Sequence, residues 1–363
     1  MSKKINFGAG PAKIPEDVLL QAQQELVHFQ NTGISILEMS HRSKEFATVL
    51  EETKTMLREI MSVPDDFEIL FMQGGGTGQF AAVPLNLKGE HDHADYVITG
   101  AWSNKAAQEA EKYVKVRKVF PPSKPYTTVP DEHLWDCDAS AAYIYYCANE
   151  TVHGIEFQKN PATPHGVPLV ADISSNFLAR PFDFTNHGVV FGGTQKNLGA
   201  AGLTIAMVRK DLIGKEQAIC PVVFSYKEMI GNNSLYNTPP VYSIYITNLV
   251  LKWIKEQGGV TGIYERNLRK SNLIYSIIDD SKGFYKCVVD PKFRSIMNVC
   301  FRIGGNDEAL EAEFLAGAQK RHMISLKGHR SVGGIRASLY NAVSEEETET
   351  LASWMREFQA SKQ

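Results

Sequence analysis

Between residues 68 and 208, short apolar runs alternate with segments of helical character, and this alternation constrains the fold more than any other feature of the chain. Strands that alternate with helices form a mostly parallel sheet covered by helices on both faces. The sequence therefore predicts an α/β fold, in which ligands gather at the carboxyl ends of the strands. The predicted strands are residues 69–72, 96–99, 142–146, 169–171, 189–191 and 203–208.

Composition sets limits on size and on partners. A chain of 363 residues that is 43% hydrophobic can bury a large core, so we expect one large or two unequal domains. Its 38 basic and 41 acidic residues lack the charge bias of a nucleic-acid or membrane-surface binder. There is no apolar run of membrane-spanning length and no signal-peptide pattern, and the five cysteines have neither metal-ligand nor disulfide spacing. We expect a cytoplasmic protein that binds no metal, nucleic acid or membrane.

The stretch FGGTQKNLGAAG, residues 191–202, places Lys196 in a glycine-rich loop between two predicted strands. Asp172 directly follows another predicted strand. Pyridoxal phosphate enzymes use a lysine to form a Schiff base and a carboxylate to keep the ring nitrogen of the cofactor protonated. The pair therefore favours this cofactor, although a solvated loop lysine and a strand-end aspartate explain these two residues equally well.

Three other strand ends offer groups that a flat, phosphorylated cofactor needs. The glycines of residues 74–78 precede an apolar helix, so backbone N–H groups can approach a phosphate there. Trp102 can stack on a ring, and Thr151 can hydrogen-bond to a ring hydroxyl or a phosphate. A close-packed turn and a core tryptophan are the ordinary alternatives. The glycine loop lacks the ending of a P-loop, but a nucleotide-binding protein without pyridoxal phosphate stays open.

Cations cluster between the last two predicted helices, in residues 326–338. Arginine binds carboxylates and phosphates through paired hydrogen bonds, so this segment suits a doubly anionic small molecule. The apolar neighbours Ile335 and Leu339 predict that Arg336 is partly buried and needs an anion. The alternative is an exposed basic turn.

The first predicted helix starts after Pro15, which is followed by two acidic residues. Its apolar face is predicted to contain Val18, Ala22, Leu26 and Phe29.

Capping residues predict two further helix starts, Ser43 for the second helix and a capping box of Ser344 and Glu347 for the last. Residues 261–280 are a predicted helix that leads to strands at 287–289 and 297–301. We therefore expect a large domain of residues 16–260 and a small domain of residues 1–15 and 261–363.

Taken together, these motifs identify a family. The chain resembles the phosphoserine aminotransferases, which belong to class V of the fold-type I pyridoxal phosphate enzymes. This resemblance covers nearly the whole chain and implies a mostly parallel seven-stranded sheet flanked by helices, plus a smaller α+β domain. It rests on residues 6–12, 40–42, 74–84, 149–151, 195–197, 237–240, 327–330 and 333–338, which occur in that order.

The resemblance implies a role for each residue around the cofactor ring. Lys196 would carry pyridoxal phosphate, Asp172 would pair with the ring nitrogen, Trp102 would stack on the ring and Thr151 would contact the ring hydroxyl. The cofactor phosphate would be bound by Gly76, Thr77 and Gln195, together with Asn237 and Thr238 from a second subunit. An active site shared in this way requires a homodimer. Some members of the family carry a basic residue at the position of Thr77.

The resemblance also implies how substrate is bound. Arg336 would take the α-carboxylate. The distal phosphate or carboxylate would be held by His329 and Arg330, with His41 and Arg42 supplied by the second subunit.

The implied reaction converts L-glutamate and 3-phosphohydroxypyruvate to 2-oxoglutarate and O-phospho-L-serine, a step of L-serine biosynthesis. Some relatives also use 4-phosphohydroxy-L-threonine. The nearest rivals in this class are an alanine–glyoxylate type aminotransferase and a cysteine desulfurase. A desulfurase needs a reactive cysteine on a mobile loop, whereas Cys300 lies in an apolar strand pattern.

Overall fold

A computed structural model describes residues 3–362. The helices are α1 (Glu16–Gln24), α2 (Lys44–Met61), α3 (Gly75–Leu87), α4 (Ala101–Ala110), α5 (Tyr226–Gly231), α6 (Val241–Glu256), α7 (Gly259–Asp280), α8 (Glu308–Lys320) and α9 (Glu345–Ala360). The strands are β1 (Ile5–Asn6), β2 (Phe67–Met72), β3 (His93–Val97), β4 (Lys115–Lys118), β5 (Ile144–Cys147), β6 (Asn149–Glu150), β7 (Ile155–Glu156), β8 (Leu169–Asp172), β9 (His187–Gly193), β10 (Thr204–Arg209), β11 (Tyr285–Lys286), β12 (Asn298–Ile303), β13 (Met323–Ile324) and β14 (Ile335–Ser338).

A seven-stranded sheet forms the centre of the fold, with strand order β2-β10-β9-β8-β5-β3-β4. Strand β10 runs antiparallel to both of its neighbours, and the other pairs are parallel. Strand β9 is buried along its whole length, as expected for a central strand that has helices on both faces. The predicted α/β class is confirmed, and each of the six predicted apolar runs contributes to a strand of this sheet.

The seventh strand, β4, was not predicted from the sequence. Its residues Lys-Val-Arg-Lys have no apolar run, and β4 lies at the edge of the sheet with β3 as its neighbour. Charged residues are typical of edge strands because they discourage pairing with another chain. The hydrophobic pattern therefore misses this strand for a physical reason.

Two of the predicted helix caps are confirmed. The Ser43 hydroxyl accepts a hydrogen bond from the Phe46 N–H at 3.1 Å. Ser344 and Glu347 form the capping box at the start of α9. The prediction for α1 is partly wrong, because the helix ends at Gln24. Leu26 lies beyond that end and is 38% exposed.

The C-terminal region has its own hydrophobic core. The largest cluster of buried apolar residues runs from Val18 to Ile263 and includes Val289, while a second contains Phe7 and residues 274–358. Strand β1 joins the second region by pairing with β13. This arrangement accords with the proposed boundaries at 15/16 and 260/261, which remain a prediction. The strand predicted at 287–289 is wrong: β11 ends at Lys286, and Val288 is 51% exposed.

One buried histidine makes the sheet sensitive to acid. His187 begins β9, and its ring nitrogens hydrogen-bond to the Tyr146 hydroxyl at 2.9 Å and the Thr185 carbonyl at 3.1 Å. Burial lowers the pKa of His187 from 6.5 to about 4. The folded state therefore binds a proton on this ring more weakly than the unfolded chain does, so stability falls as pH drops from 6.5 towards 4.

We predict that His187→Gln removes this part of the acid sensitivity. The wild-type protein should lose up to about 3 kcal/mol through this group across that pH interval, a loss that the variant lacks even if it is less stable at pH 7.5. The measurement is guanidinium unfolding at a series of pH values. The exposed His165→Gln variant is the control and should follow the wild type. A His187→Gln profile as steep as that of the wild type would contradict the prediction.

Candidate active site

A cavity of about 500 Å³ opens at the carboxyl ends of the central strands. It brings together eight of the residues that the sequence predicted for the cofactor and the substrate carboxylate, contributed by separate parts of the chain. A ninth predicted residue, His329, lines it from the C-terminal region. The eight are Gly76, Thr77, Trp102, Thr151, Asp172, Gln195, Lys196 and Arg336.

Lys196 lies in the loop between β9 and β10, as predicted, and is partly buried. Its Nζ donates a hydrogen bond to Thr151 Oγ1 at 2.8 Å and lies 5.6 Å from the centre of the Trp102 ring. Burial lowers the pKa of Lys196, while the negative charge of Asp172 acts in the opposite direction. A lower pKa leaves more of the amine unprotonated, which is the form that attacks a carbonyl.

The N-terminal segment covers the stem of this lysine. Ala12 donates its N–H to the Gln195 carbonyl at 2.9 Å. Gly10 has a φ of +132°, and a β-carbon there would stand 3.3 Å from Lys196 Cγ. Glycine therefore serves both the backbone conformation and the close approach to the lysine.

Asp172 is the last residue of β8 and is buried. Its Oδ1 accepts the Ser174 N–H at 2.9 Å. Burial raises the pKa of Asp172, opposed by the hydrogen bonds from Ser174 and by the charge of Lys196. A cationic ring nitrogen placed beside this carboxylate would stabilise its ionised form.

The loop after β2 forms the floor of the cavity beside Asp172. Gly74 adopts the left-handed conformation with φ of +96°, and α3 begins directly after it. The first N–H groups of a helix have no partner within the helix, so this helix start suits a phosphate. A β-carbon on Gly76 would stand 3.4 Å from Ser174 Oγ and 3.7 Å from Asp172 Oδ2. The absence of a side chain at Gly76 therefore keeps this part of the floor free.

Two hydrogen-bond donors in the lining are unsatisfied. Among the described residues, Trp102 Nε1 and Arg336 Nε are buried without a hydrogen-bond partner. Buried donors of this kind require an acceptor, and an anionic ligand supplies several. With the lysine, the carboxylate and the helix start, the donor set fits pyridoxal phosphate together with a carboxylate substrate.

A second cavity of about 780 Å³ adjoins the first and shares Trp102, Val152, His329 and Arg336 with it. Arg330 lines this second cavity, which also has several other cationic side chains and no acidic residue in its described lining. Burial lowers the pKa of His329, and the charges of Arg336 and Arg330 add to that effect. The electrostatic environment of this second cavity, which we call the outer cavity, is therefore positive. The further basic residues in its lining are Lys105, Lys124, His153, Lys286 and Arg302.

Four predicted residues lie outside both cavities of this single chain: His41, Arg42, Asn237 and Thr238. Arg42 and Thr238 are exposed. Gln73, which directly follows β2, donates a side-chain hydrogen bond to the Thr238 carbonyl at 2.9 Å. These are the residues that the resemblance assigns to a second subunit, and their roles stay predictions.

Sequence analysis missed several residues of the lining. Ser174 holds Asp172, and its position two residues after the aspartate is a usable signal because such side chains commonly accept that N–H. His153 lines the outer cavity two residues after Thr151, and its Nδ1 is buried without a partner among the described residues. Burial, together with His329 and Lys124, lowers the pKa of His153 to about 4.

The family is established by comparison with known proteins. Residues 5–351 match the family described as Aminotransferase class-V. The chain belongs to this family, whose members depend on pyridoxal phosphate, and it is therefore an enzyme of the aminotransferase class. A nucleotide-binding protein without this cofactor is excluded.

Within the family, the chain is similar to proteins named for a single activity. It is 71% identical to a probable phosphoserine aminotransferase of Caenorhabditis elegans, over 98% of this chain and 97% of the relative. A solved phosphoserine aminotransferase from Bacillus circulans subsp. alkalophilus matches with a TM-score of 0.96 and 43% identity, covering 99% of both chains. The pyridoxal phosphate-bound enzyme from Trichomonas vaginalis matches with a TM-score of 0.94 and 39% identity, covering 98% of this chain and 100% of that one. The predicted fold-type I architecture is confirmed by these structures.

We predict that Gly76→Ala weakens cofactor binding without weakening the fold. The new methyl group meets its neighbours at ordinary contact distances, but it occupies the floor between α3 and Asp172. The dissociation constant of pyridoxal phosphate should rise about tenfold to a hundredfold, while the stability of the apoenzyme stays the same or increases slightly.

The measurement is titration of apoenzyme with cofactor, followed by its visible absorption, alongside thermal unfolding. Gly231→Ala in α5 is the control, because no atom lies within 4 Å of the β-carbon that this substitution adds. Unchanged affinity in Gly76→Ala would contradict the assignment of this floor to the cofactor.

Proposed function

We propose that this protein transfers the amino group of L-glutamate to 3-phosphohydroxypyruvate, giving 2-oxoglutarate and O-phospho-L-serine. The observation that carries the proposal is the placement of Lys196 and Asp172 in one cavity with an unsatisfied Arg336, beside a second cavity lined by cations and by no acidic residue among those described. The names of the relatives support the same reaction. Pyridoxal phosphate, when bound, supplies the carbonyl for covalent attachment and an electron-accepting ring.

Lys196 is the proposed point of attachment and the proton carrier. Once an incoming amine has displaced it, its Nζ is free to take a proton from the substrate Cα and return it as general base and acid. Two features support this role: the burial that lowers the pKa of Lys196, and the hydrogen bond to Thr151 Oγ1 at 2.8 Å, which holds Nζ at the cavity floor.

The other predicted residues of the first cavity, which we call the inner cavity, would bind the cofactor and orient it. Asp172 would hold the proton of the ring nitrogen in place through its buried carboxylate. Trp102 would cover one face of the ring, and Thr151 would donate to the ring hydroxyl. The cofactor phosphate would be bound by Gly76, Thr77 and Gln195. Because position 77 is a threonine, we propose that the cofactor phosphate is contacted there by the backbone N–H at the helix start. A substitution at this position should therefore change the affinity for the cofactor more than the rate of the chemical step.

Substrate would lie between the two cavities. Arg336 is the proposed partner of the α-carboxylate, and the donor at its Nε has no other partner among the described residues. His329 and Arg330 are the proposed partners of the distal anion, which is a phosphate in one half-reaction and a carboxylate in the other. The proposal of 4-phosphohydroxy-L-threonine as a second substrate rests on the family resemblance alone.

A homodimer would complete the site. Asn237 and Thr238 of the partner subunit would bind the cofactor phosphate, and the partner subunit's His41 and Arg42 would bind the distal anion. Exposed apolar side chains precede His41 in the sequence, and a second copy would cover them. They are Leu19, Leu20, Leu26, Val27, Ile34 and Leu37.

Location in the cytoplasm stays a prediction. Across residues 3–362, helices with the length and apolar character of a membrane span do not occur.

Lys196→Ala should abolish transamination. We expect the rate to fall at least about a thousandfold, because both the covalent attachment and the proton transfer are lost. The assay follows 2-oxoglutarate formation from glutamate and 3-phosphohydroxypyruvate. Lys252→Ala, an exposed change on α6, should retain wild-type activity. Substantial turnover by Lys196→Ala without an added amine would refute the role. A wild type that prefers alanine and glyoxylate would refute the substrate assignment.

Arg42→Ala should impair use of phosphoserine about tenfold to a hundredfold, because a hydrogen bond to a charged group is lost. The half-reaction with alanine alone, followed by the change in cofactor absorption without an acceptor, should change little because alanine has no distal anion. Arg356→Ala on α9 is the control, being an exposed arginine outside both cavities. An equal loss for both amino donors would contradict the distal-site assignment.

Subunit mixing tests whether Arg42 acts across an interface. Inactive Lys196→Ala protein and impaired Arg42→Ala protein are unfolded together and refolded. A hybrid dimer then contains one site with both changes and one site with neither, so phosphoserine turnover should reappear. Absence of any recovery, in a mixture shown by differential tagging to contain hybrids, would overturn the shared site.

A further inference from the structure

The carboxylate of Glu150 fixes the first turn of α4. Oε1 accepts the Ser103 N–H at 2.8 Å and the Ser103 hydroxyl at 2.6 Å, and Oε2 accepts the Trp102 N–H at 2.9 Å. Glu150 is fully buried. Burial raises the pKa of Glu150, opposed by these hydrogen bonds from Ser103 and Trp102. A carboxylate at the start of a helix satisfies N–H groups that have no partner within the helix and interacts favourably with the helix dipole.

The neighbouring residues are fitted to this carboxylate. A β-carbon on Gly100 would stand 2.3 Å from Glu150 Cδ and 2.5 Å from Oε2, so no other amino acid fits at position 100 without displacing the glutamate. Ser103 Oγ also accepts the N–H groups of Thr99 at 3.0 Å and Gly100 at 3.1 Å. The turn between β3 and α4 is thus closed around the carboxyl group.

The residue next to Glu150 contacts Lys196. Thr151 follows Glu150 directly, and its Oγ1 accepts the hydrogen bond from Lys196 Nζ at 2.8 Å. Backbone N–H groups of His153 at 3.1 Å and Gly154 at 2.8 Å both donate to the Glu150 carbonyl, which makes residues 150–154 a tight turn. Two adjacent residues of one short, hydrogen-bonded segment therefore hold the two groups: Glu150 contacts Trp102, and Thr151 contacts Lys196.

We propose that Glu150 is a positioning residue that sets the Trp102 ring at a fixed height over the cofactor site. The proposal rests on the proposed function, in which Trp102 stacks on the ring of pyridoxal phosphate. A tryptophan ring that is fixed before the cofactor binds loses less conformational entropy on binding. Rigid placement of Trp102 should therefore increase the affinity for pyridoxal phosphate.

Glutamine is the informative replacement. A carboxylate accepts on both oxygens, whereas an amide of the same shape presents an NH₂ group to one of the two backbone donors. Glu150→Gln therefore breaks one bond and leaves a buried donor without a partner, with little change in volume. Asp95→Asn is the matched control: Asp95 is a fully buried carboxylate in β3 that accepts the Asp138 N–H at 2.7 Å and lines neither cavity.

The experiment titrates apoenzyme with pyridoxal phosphate and records the affinity and the visible circular dichroism of the bound cofactor, which reports how rigidly its ring is held. We expect Glu150→Gln to weaken binding about tenfold and to reduce the dichroic band. Asp95→Asn should leave both unchanged even if its melting temperature falls. Wild-type affinity and dichroism in Glu150→Gln would overturn the proposal.

A double-mutant cycle decides whether Glu150 acts through the tryptophan. In a Trp102→Ala background, Glu150→Gln should have almost no further effect on affinity, because the ring that it positions is gone. The same fold-change in both backgrounds would show a merely structural role and would overturn the proposal.

Two further measurements separate misfolding of the variant, and failure of the proposed function, from failure of this proposal. If Glu150→Gln does not fold, Ser103→Ala removes the 2.6 Å hydroxyl contact while the backbone donors remain, and the same coupling to Trp102 is required of it. Failure of the proposed function has a different signature: the wild type itself would form no 2-oxoglutarate from glutamate and 3-phosphohydroxypyruvate, whatever its affinity for the cofactor.

Discussion

The structure around the site depends on holding a partly buried lysine, in the loop after β9, beside a buried carboxylate at the end of the neighbouring strand β8. Burial shifts the pKa of Lys196 downwards and that of Asp172 upwards, and the opposite charge of each group reduces the shift of the other. Such a pair is costly in a folded protein unless hydrogen bonds hold it. Thr151 Oγ1 and the Ser174 N–H supply those bonds.

A buried amide network carries that placement into the C-terminal region. Asn298, at the start of β12, accepts a hydrogen bond from Asn149 at 2.9 Å and donates to Ser338 at 2.9 Å. Asn341 donates its N–H to the side chain of Asn197, the residue after the lysine, at 2.9 Å. Because the Asn149–Asn298 and Asn341–Asn197 hydrogen bonds join the two regions, a shift of one region against the other breaks them and leaves buried polar groups unpaired. The network therefore fixes how Arg336 faces the lysine.

Sequence patterns predicted the parts of the fold that hydrophobicity controls. The six apolar strands, the Ser43 cap and the final capping box were identified because each depends on residues close together in the chain. Strand β4 was missed because its charges suit an edge, and α1 was extended too far because Phe29 is buried after the helix has ended. The lysine, the aspartate and the phosphate loop follow the general rule for strand ends. The roles of Arg42 and Thr238 came from family resemblance, since no local pattern indicates a second subunit. The contact of Glu150 with Trp102 joins residues 48 positions apart and has no signature in either segment.

The pairing of β1 with β13 has a consequence for how the enzyme is made. Gly10 and Ala12 lie over Lys196 and its loop, but the strand that anchors them pairs with residues 323 and 324. On the ribosome, the first dozen residues must wait until nearly nine-tenths of the polypeptide has been synthesised before they find that partner. All seven strands of the large sheet, and the loop of Lys196, are synthesised before that partner, because the last of these strands ends at Arg209. During that interval the amine is open to any aldehyde in its surroundings.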